Sequence, residues 1–406
     1  MASSSSATGR SPLAVLFVVV FMDLVGFGMI LPVLPYYAET FGASKATVGY
    51  LFASYSLMQF IFSPLWGRLS DRVGRRPVLL ISIAGTAVGF ALYGLSDSLI
   101  LLFASRLLAG GMAANLSVAQ AYVADVTNAE NRAKGMGMIG AAFGLGFVMG
   151  PVLGGELGRW GTWAPGFGAA ALSLVNWVVA LLVLKEPERA KDTRSRMSWA
   201  KCSRMLATPE LSGLIAVFFI TTFAFANMEA TFALMIERTV FSGVPHAILG
   251  TYAGRLFAFI GICMVIIQGG LVGRLTRWAG EEKLIIAGLT IQGVFLLLMP
   301  YAPTVVWLMP VLAAVAIGSG ITNPSVHSLL SRRSPADVQG GILGISQSAS
   351  SLARVVGPVC GGLLFQNLGL SAPYWMAGGG VLVAGLLAFN MRNRGLGAES
   401  FDAVQE

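Results

Sequence analysis

Two carboxyls and three arginines stand inside long apolar runs of this chain. Asp23 and Glu229 are the carboxyls, and Arg106, Arg255 and Arg354 are the cations. A carboxyl taken out of water can take up and release a proton; it can equally be a hydrogen-bonded residue that packs two helices. An arginine at such a depth faces a cavity or a partner, or caps the carbonyls of a broken helix. Arg106, Ala113, Ser117 and Gln120 recur at helical spacing, which predicts one polar stripe with the arginine at its end. Arg354 lies on a second stripe with Gln347, Ser351 and Pro358 and is a candidate counter-charge for the carboxyls. Arg255 has no counterpart in the other half of the chain. His327 reads as a packing residue and His246 as a residue near a loop. The sequence shows no nucleophile–base pair, no metal-ligand cluster and no G-x-x-x-x-G-K-[ST] phosphate loop. An enzyme, a resident metal, a cofactor and an ATP-driven pump are therefore not expected. The intramembrane charges fit proton chemistry driven by a gradient.

The elements that hold these residues follow from composition. Of 406 residues, 55% are hydrophobic and 11% charged, against about 25% charged in soluble domains. The mean hydropathy is +0.74. This excludes a soluble enzyme, a disordered chain and a nucleic-acid binder, despite the net charge of +8. Cys202 lies in a charged stretch, whereas Cys263 and Cys360 lie in apolar ones, so no disulfide framework is implied. The 50 glycines suit closely packed helices. A spanning helix needs about 20 apolar residues. Twelve stretches qualify: 12–36, 46–66, 77–96, 99–124, 134–158, 163–184, 211–237, 247–273, 284–301, 304–330, 338–366 and 371–391. The first, Pro12 to Pro35, exceeds a signal-peptide core and lacks an A-x-A site.

Charge sets the expected orientation. Of the 27 Lys and Arg residues, Lys45, Arg159 and Arg238 fall on one side of the predicted topology, and Arg106, Arg255 and Arg354 within helices. All the others fall on the opposite side, which the positive-inside rule makes cytoplasmic. Both termini are then cytoplasmic in a multi-pass protein of the plasma membrane, the inner membrane of a bacterium. The expected organisation is a disordered segment 1–11, a six-helix bundle 12–184, a cytoplasmic linker 185–210, a second bundle 211–391 and a tail 392–406. A monomer suffices for this fold, with the lipid bilayer, protons and a small-molecule substrate as partners and no nucleic acid.

The halves repeat. G-R-L-S-D-R-V-G at 67–74 returns as G-R-L-T-R-W-A-G at 273–280, and G-P-V-L-G-G at 150–155 as G-P-V-C-G-G at 357–362. Asp23 maps onto Glu229 at the first of these offsets. Six helices separate equivalents, so the halves share one orientation about an axis along the membrane normal. The fold class is an all-α membrane protein of two such bundles around a central cavity. One bundle rocking against the other gives alternating access.

Two loop or helix-end motifs complete the reading. In G-R-L-S-D-R-V-G-R-R-P (67–77), between the second and third helices, Gly67 and Gly74 allow close approach and a tight turn. Asp71 can form a charge network there with Arg68, Arg72, Arg75 and Arg76, and Asp125 can pair with the same arginines. In 140–155, Gly144, Gly146, Gly150, Gly154 and Gly155 form a small-residue face, and Pro151 bends the helix. That bend is compatible both with plain packing and with a seal against leak.

G-R-L-S-D-R-V-G-R-R-P-V-L-L (67–80), D-L-V-G-F-G-M-I-L-P-V-L-P (23–35), A-Y-V-A-D-V-T (121–127) and G-P-V-L-G-G (150–155) resemble the major facilitator superfamily over the whole chain. The resemblance is to its twelve-helix drug:proton antiporters, especially the tetracycline-exporter-like group. It implies proton-driven export of amphipathic organic molecules, with Asp23, Arg106 and the 67–77 network important. A metabolite facilitator or proton symporter of the same fold is the alternative. The tetracycline exporters carry an Asp in the third helix where this chain has Gly89, and an acid in the ninth helix that 284–301 lacks. These departures argue against tetracycline itself as substrate.

Overall fold

In lipid, a backbone with no water to bond must satisfy itself, which leaves an apolar segment of this length one option, the helix. The computed structural model describes residues 12–113, 115–127, 129–187, 208–334 and 339–393. The segment 1–11, most of the expected linker with Cys202 and its cations, and the tail beyond 393 lie outside them, as do the side chains of Arg132 and Lys134. Twelve helices are long and apolar enough to cross a membrane: α1 Pro12–Ile30, α2 Lys45–Val73, α3 Arg75–Gly94, α4 Leu99–Val126, α5 Gly135–Trp160, α6 Ala164–Val183, α7 Pro209–Arg238, α8 Ile248–Ala279, α9 Glu281–Tyr301, α10 Val305–Arg332, α11 Gly341–Leu368 and α12 Ala372–Asn393. A short helix, Leu34–Thr40, follows α1.

Packing repeats as the sequence does. In the first bundle α1 lies against α5 and α6, α3 against α4 and α6, and α2 against α4. In the second, α7 lies against α11 and α12, α9 against α10 and α12, and α8 against α10. Adding six to each label converts one set into the other. The bundles meet along α5–α8 and α2–α11, which the same operation exchanges.

The junction between α2 and α3 corrects an expectation. Residues 67–73 are the last turns of α2, not a loop, and the whole connection is Gly74. Its φ of 121° lies where a side chain is strained. The equivalent Gly280, between α8 and α9, has φ 80°. Gly67 sits within α2 with no heavy atom of the described residues within 4 Å of where a Cβ would be, so among them it makes neither a turn nor a close approach.

The two ends of the molecule differ. At the end away from the arginine-rich turns, a Cβ on Gly254 would overlap the carbonyl of Pro151, and one on Gly49 that of Pro358. Each proline of the repeated motif thus seats its carbonyl on a glycine of the other bundle. Thr251 donates to Gly155 O at 2.8 Å, and Gln366 Oε1 accepts from Ala46 N at 3.1 Å. Arg255, without a counterpart in the repeat, pairs across the bundles with Glu156 at 2.6 Å. Towards the arginine-rich end the same α5–α8 line opens. Gly137 and Gly140 on α5, and Gly269, Gly270 and Gly273 on α8, have nothing within 4 Å of a Cβ among the described residues. A π-turn, Ile267–Leu271, interrupts α8 there.

Candidate functional site

The centre is built on α4. Gly110 lets α4 lie against the backbone of α2 so closely that a Cβ would overlap the carbonyl of Tyr55. One turn earlier on α4, Arg106 then lies over the Tyr55 ring, with its Cζ 4.5 Å from the centroid. Arg106 is 2% exposed, and its Nε has no hydrogen-bond partner among the described residues. A guanidinium on a π face keeps some electrostatic stabilisation after losing water. Tyr93 on α3 is fully buried nearby, within the field of the same arginine.

α4 then breaks. Its helix stops at Met112, Ala113 has ψ 61°, and a second helix runs from Asn115 to Val126. The single stripe expected through Arg106, Ala113, Ser117 and Gln120 assumed an unbroken helix, so the break disrupts it. What the break produces is Asn115, which is buried and donates through Nδ2 to Asp23 Oδ1 at 2.6 Å. Asp23 is half-buried on α1, and among the described residues no cation lies within ion-pair distance of it. Phe27, one turn further on α1, packs its ring 5.0 Å from that of Tyr55.

Glu229, the equivalent of Asp23 on α7, is 6% exposed. The fields of Arg354 and then Arg106 act on it. Arg354 is half-buried on α11. Gln347 on that helix is exposed and Gln120 half-buried, and neither side chain makes a hydrogen bond among the described residues. Phe147 of α5 lies 5.9 Å from Phe225 of α7 and 6.2 Å from Phe257 of α8, an aromatic contact between the bundles. His327 stacks edge-on to Phe218 at 4.5 Å, as a packing residue would. Cys263 and Cys360 are free.

The motif at 67–77 forms a compact ionic group. Arg75 is buried, with Nε on Asp125 Oδ2 and Nη1 on Asp71 Oδ1, both at 2.7 Å, and Nη1 also on Ser70 Oγ at 2.6 Å. Arg76 turns away to Leu181 O at 2.7 Å. Arg68 and Arg72 are exposed. Sequence reasoning missed Glu186, whose carboxylate accepts from the first two amides of α3, Arg75 N at 2.6 Å and Arg76 N at 2.9 Å. On α5, Gly146 and Gly150 lie against Leu24, Val25 and Gly28 of α1, Gly154 against Met29, and Gly155 against Gly250 of α8. Pro151 lies within the helix.

No metal-ligand cluster is legible in the sequence; in the fold, Glu39, Glu237 and His246 bring one ligand atom each to within 4.8 Å of one another. They are far apart in the chain, and only the packed bundles gather them. Tyr55, Tyr93 and Asn115 were missed as well. For Asn115 a signal existed, since an amide a turn after the Gly110–Gly111 pair in an apolar helix marks a place where the backbone can break.

The comparisons agree with this architecture. The family model for the Major Facilitator Superfamily matches residues 16–358 and 271–400. The class E tetracycline resistance protein of Escherichia coli is 35% identical over 386 residues, 91% of this chain and 92% of that protein. Multidrug resistance protein 1 of Bacillus subtilis (strain 168) is 30% identical over 367 residues, 90% of this chain and 92% of that one. The crystal structure of the human organic anion transporter MFSD10 (TETRAN) superposes with a TM-score of 0.70 at 25% identity, covering 93% of this chain and 98% of that one. With the likeness running through nine-tenths of its length, the chain belongs to the Major Facilitator Superfamily of multi-pass membrane transporters.

Proposed function

We propose that the chain exports small, amphipathic, drug-like molecules in exchange for protons, that Asp23 carries the proton, and that Arg106, Glu229 and Arg354 complete the central site. The observation that carries this is the setting of Asp23. Its oxygen is held by the amide of Asn115 and by no cation within ion-pair distance among the described residues. An amide donor tolerates both the charged and the neutral carboxyl, whereas a guanidinium would pin it charged. Glu229 differs, since two arginines act on it. The half-buried rings of Phe27 and Phe225 offer apolar faces for an organic molecule to stack on.

The bundles 12–184 and 211–391, joined through 185–210 and flanked by 1–11 and 392–406, are the rocking units. The arginine-rich end is cytoplasmic, with both termini, in the plasma membrane of a bacterium. The closed contacts Pro151–Gly254 and Pro358–Gly49 then seal the outside, and the open glycines of α5 and α8 face the cytoplasm. This is the conformation that loads substrate for export. A monomer with no cofactor performs the cycle. The relatives named for tetracycline do not make tetracycline the substrate here. A Cβ at position 89 would lie 2.9 Å from the backbone of Ala109, so the α3 acid of those exporters has no room.

The test is drug-driven proton movement in proteoliposomes with an internal pH dye, using a panel of organic cations and antibiotics that includes tetracycline. A panel compound other than tetracycline should collapse an imposed proton gradient, and Asp23→Asn should abolish that while leaving substrate binding. Substrate flux without proton movement, or full antiport by Asp23→Asn, would overturn the assignment.

A further inference from the structure

We propose that Glu39, Glu237 and His246 form a site for a divalent transition-metal ion of the Zn2+ class, and that this ion bridges the two bundles at their closed end. Glu39 comes from the short helix after α1, in the first bundle. Glu237 ends α7 and His246 opens the approach to α8, both in the second.

Three observations carry the assignment. First, the ligand atoms lie within 4.8 Å of one another, and a tetrahedral Zn2+ with bonds near 2.1 Å needs them roughly 3.4 Å apart. The difference is a small side-chain adjustment, and the exposed His246 is free to make it. Second, the donors already converge: His246 Nε2 lies 3.1 Å from Glu237 Oε1, and Glu237 Oε2 is buried without a hydrogen-bond partner among the described residues. Third, the wall is built. Tyr36 donates through its hydroxyl to Ala233 O at 2.8 Å, and its ring lies 5.8 Å from the imidazole. Lys45 pairs with Glu39 and is the competitor that the metal displaces. One imidazole and two carboxylates, with water in the fourth place, suit a borderline ion better than Mg2+ or Ca2+.

The site is whole only where the bundles touch, so bound metal favours this conformation over one with that end open. This consequence rests on the rocking reading above, but the binding does not. Purified, chelator-washed full-length protein in detergent, titrated calorimetrically with Zn2+, should take up one saturating ion per chain. His246→Ala and Glu237→Gln should each weaken binding by at least about tenfold, with thermal unfolding of the metal-free variants unchanged. No saturable binding, or binding indifferent to both variants, would overturn the site. External Zn2+ should slow substrate flux by the parent in proteoliposomes and not by His246→Ala. Flux unaffected by Zn2+ that demonstrably binds would overturn the bridge. A negative result in the Asp23→Asn antiport test leaves the calorimetry untouched, so the two readings fail separately.

Discussion

The arginine-rich ends of the two bundles solve one problem with opposite signs. In the first bundle the buried group at the start of α3 is Arg75, held between Asp71 and Asp125. Its equivalent at the start of α9 is Glu281, whose side chain is 8% exposed, with Ser328 Oγ at 2.5 Å and Arg332 at 3.4 Å. Asp71 and Asp125 are replaced by Arg277 and Arg332. Glu282 beside it pairs with Arg333, which also pairs with Glu210 of α7. The repeat conserves the place of the ionic group and not its charges. The helix dipole explains why the two are unequal. The start of a helix favours an anion and disfavours a cation. Glu281 and Glu282 therefore suit the start of α9 unaided. Arg75 does not suit the start of α3, and the first bundle brings Glu186 to cap the two amides beside it. A carboxylate borrowed from beyond α6 does for α3 what α9 does for itself.

Breaking the groups one at a time ranks these differences. Arg75→Ala removes the buried cation that Asp71 and Asp125 share, and should cost about 2–3 kcal/mol, as the loss of charged hydrogen bonds does, read as a lowered midpoint of thermal unfolding in detergent. If it costs no more than Arg332→Ala, the asymmetry is wrong. Glu186→Ala should cost about 1 kcal/mol, as the loss of a helix cap does, and Glu186→Asp should recover part of it. Arg332→Ala, at a side chain 73% exposed, should cost about 0–1 kcal/mol, and that small loss should shrink further at high salt.

The centre repeats the contrast. Asp23 and Glu229 hold equivalent positions, but one is bound by an amide and the other lies in the field of two arginines. Both carboxyls were legible because a charge in an apolar run is costly and therefore conspicuous. Their different partners were not. Asn115 reaches Asp23 only because α4 breaks at Ala113, and a count of helical spacing cannot see a break. The same count placed Gln120 on one stripe with Arg106 and passed over Tyr55, whose contact depends on how closely Gly110 lets two helices approach. Asp71, Arg75 and Asp125 were legible as a group, since charges clustered at the end of a span have few other partners. Glu186 was not, because nothing near it in the chain announces what it caps.

The number of spanning helices, the orientation expected from lysine and arginine, and the twofold repeat follow from local composition. Lipid makes hydropathy decisive and leaves a segment no alternative to the helix. Which helices touch across the bundles, which end is closed, and which distant side chains meet were decided by packing. Glu39, Glu237 and His246 illustrate the reason. Their proximity depends on the relative placement of two rigid bundles, a quantity no stretch of sequence encodes alone, whereas each helix forms from information it carries itself.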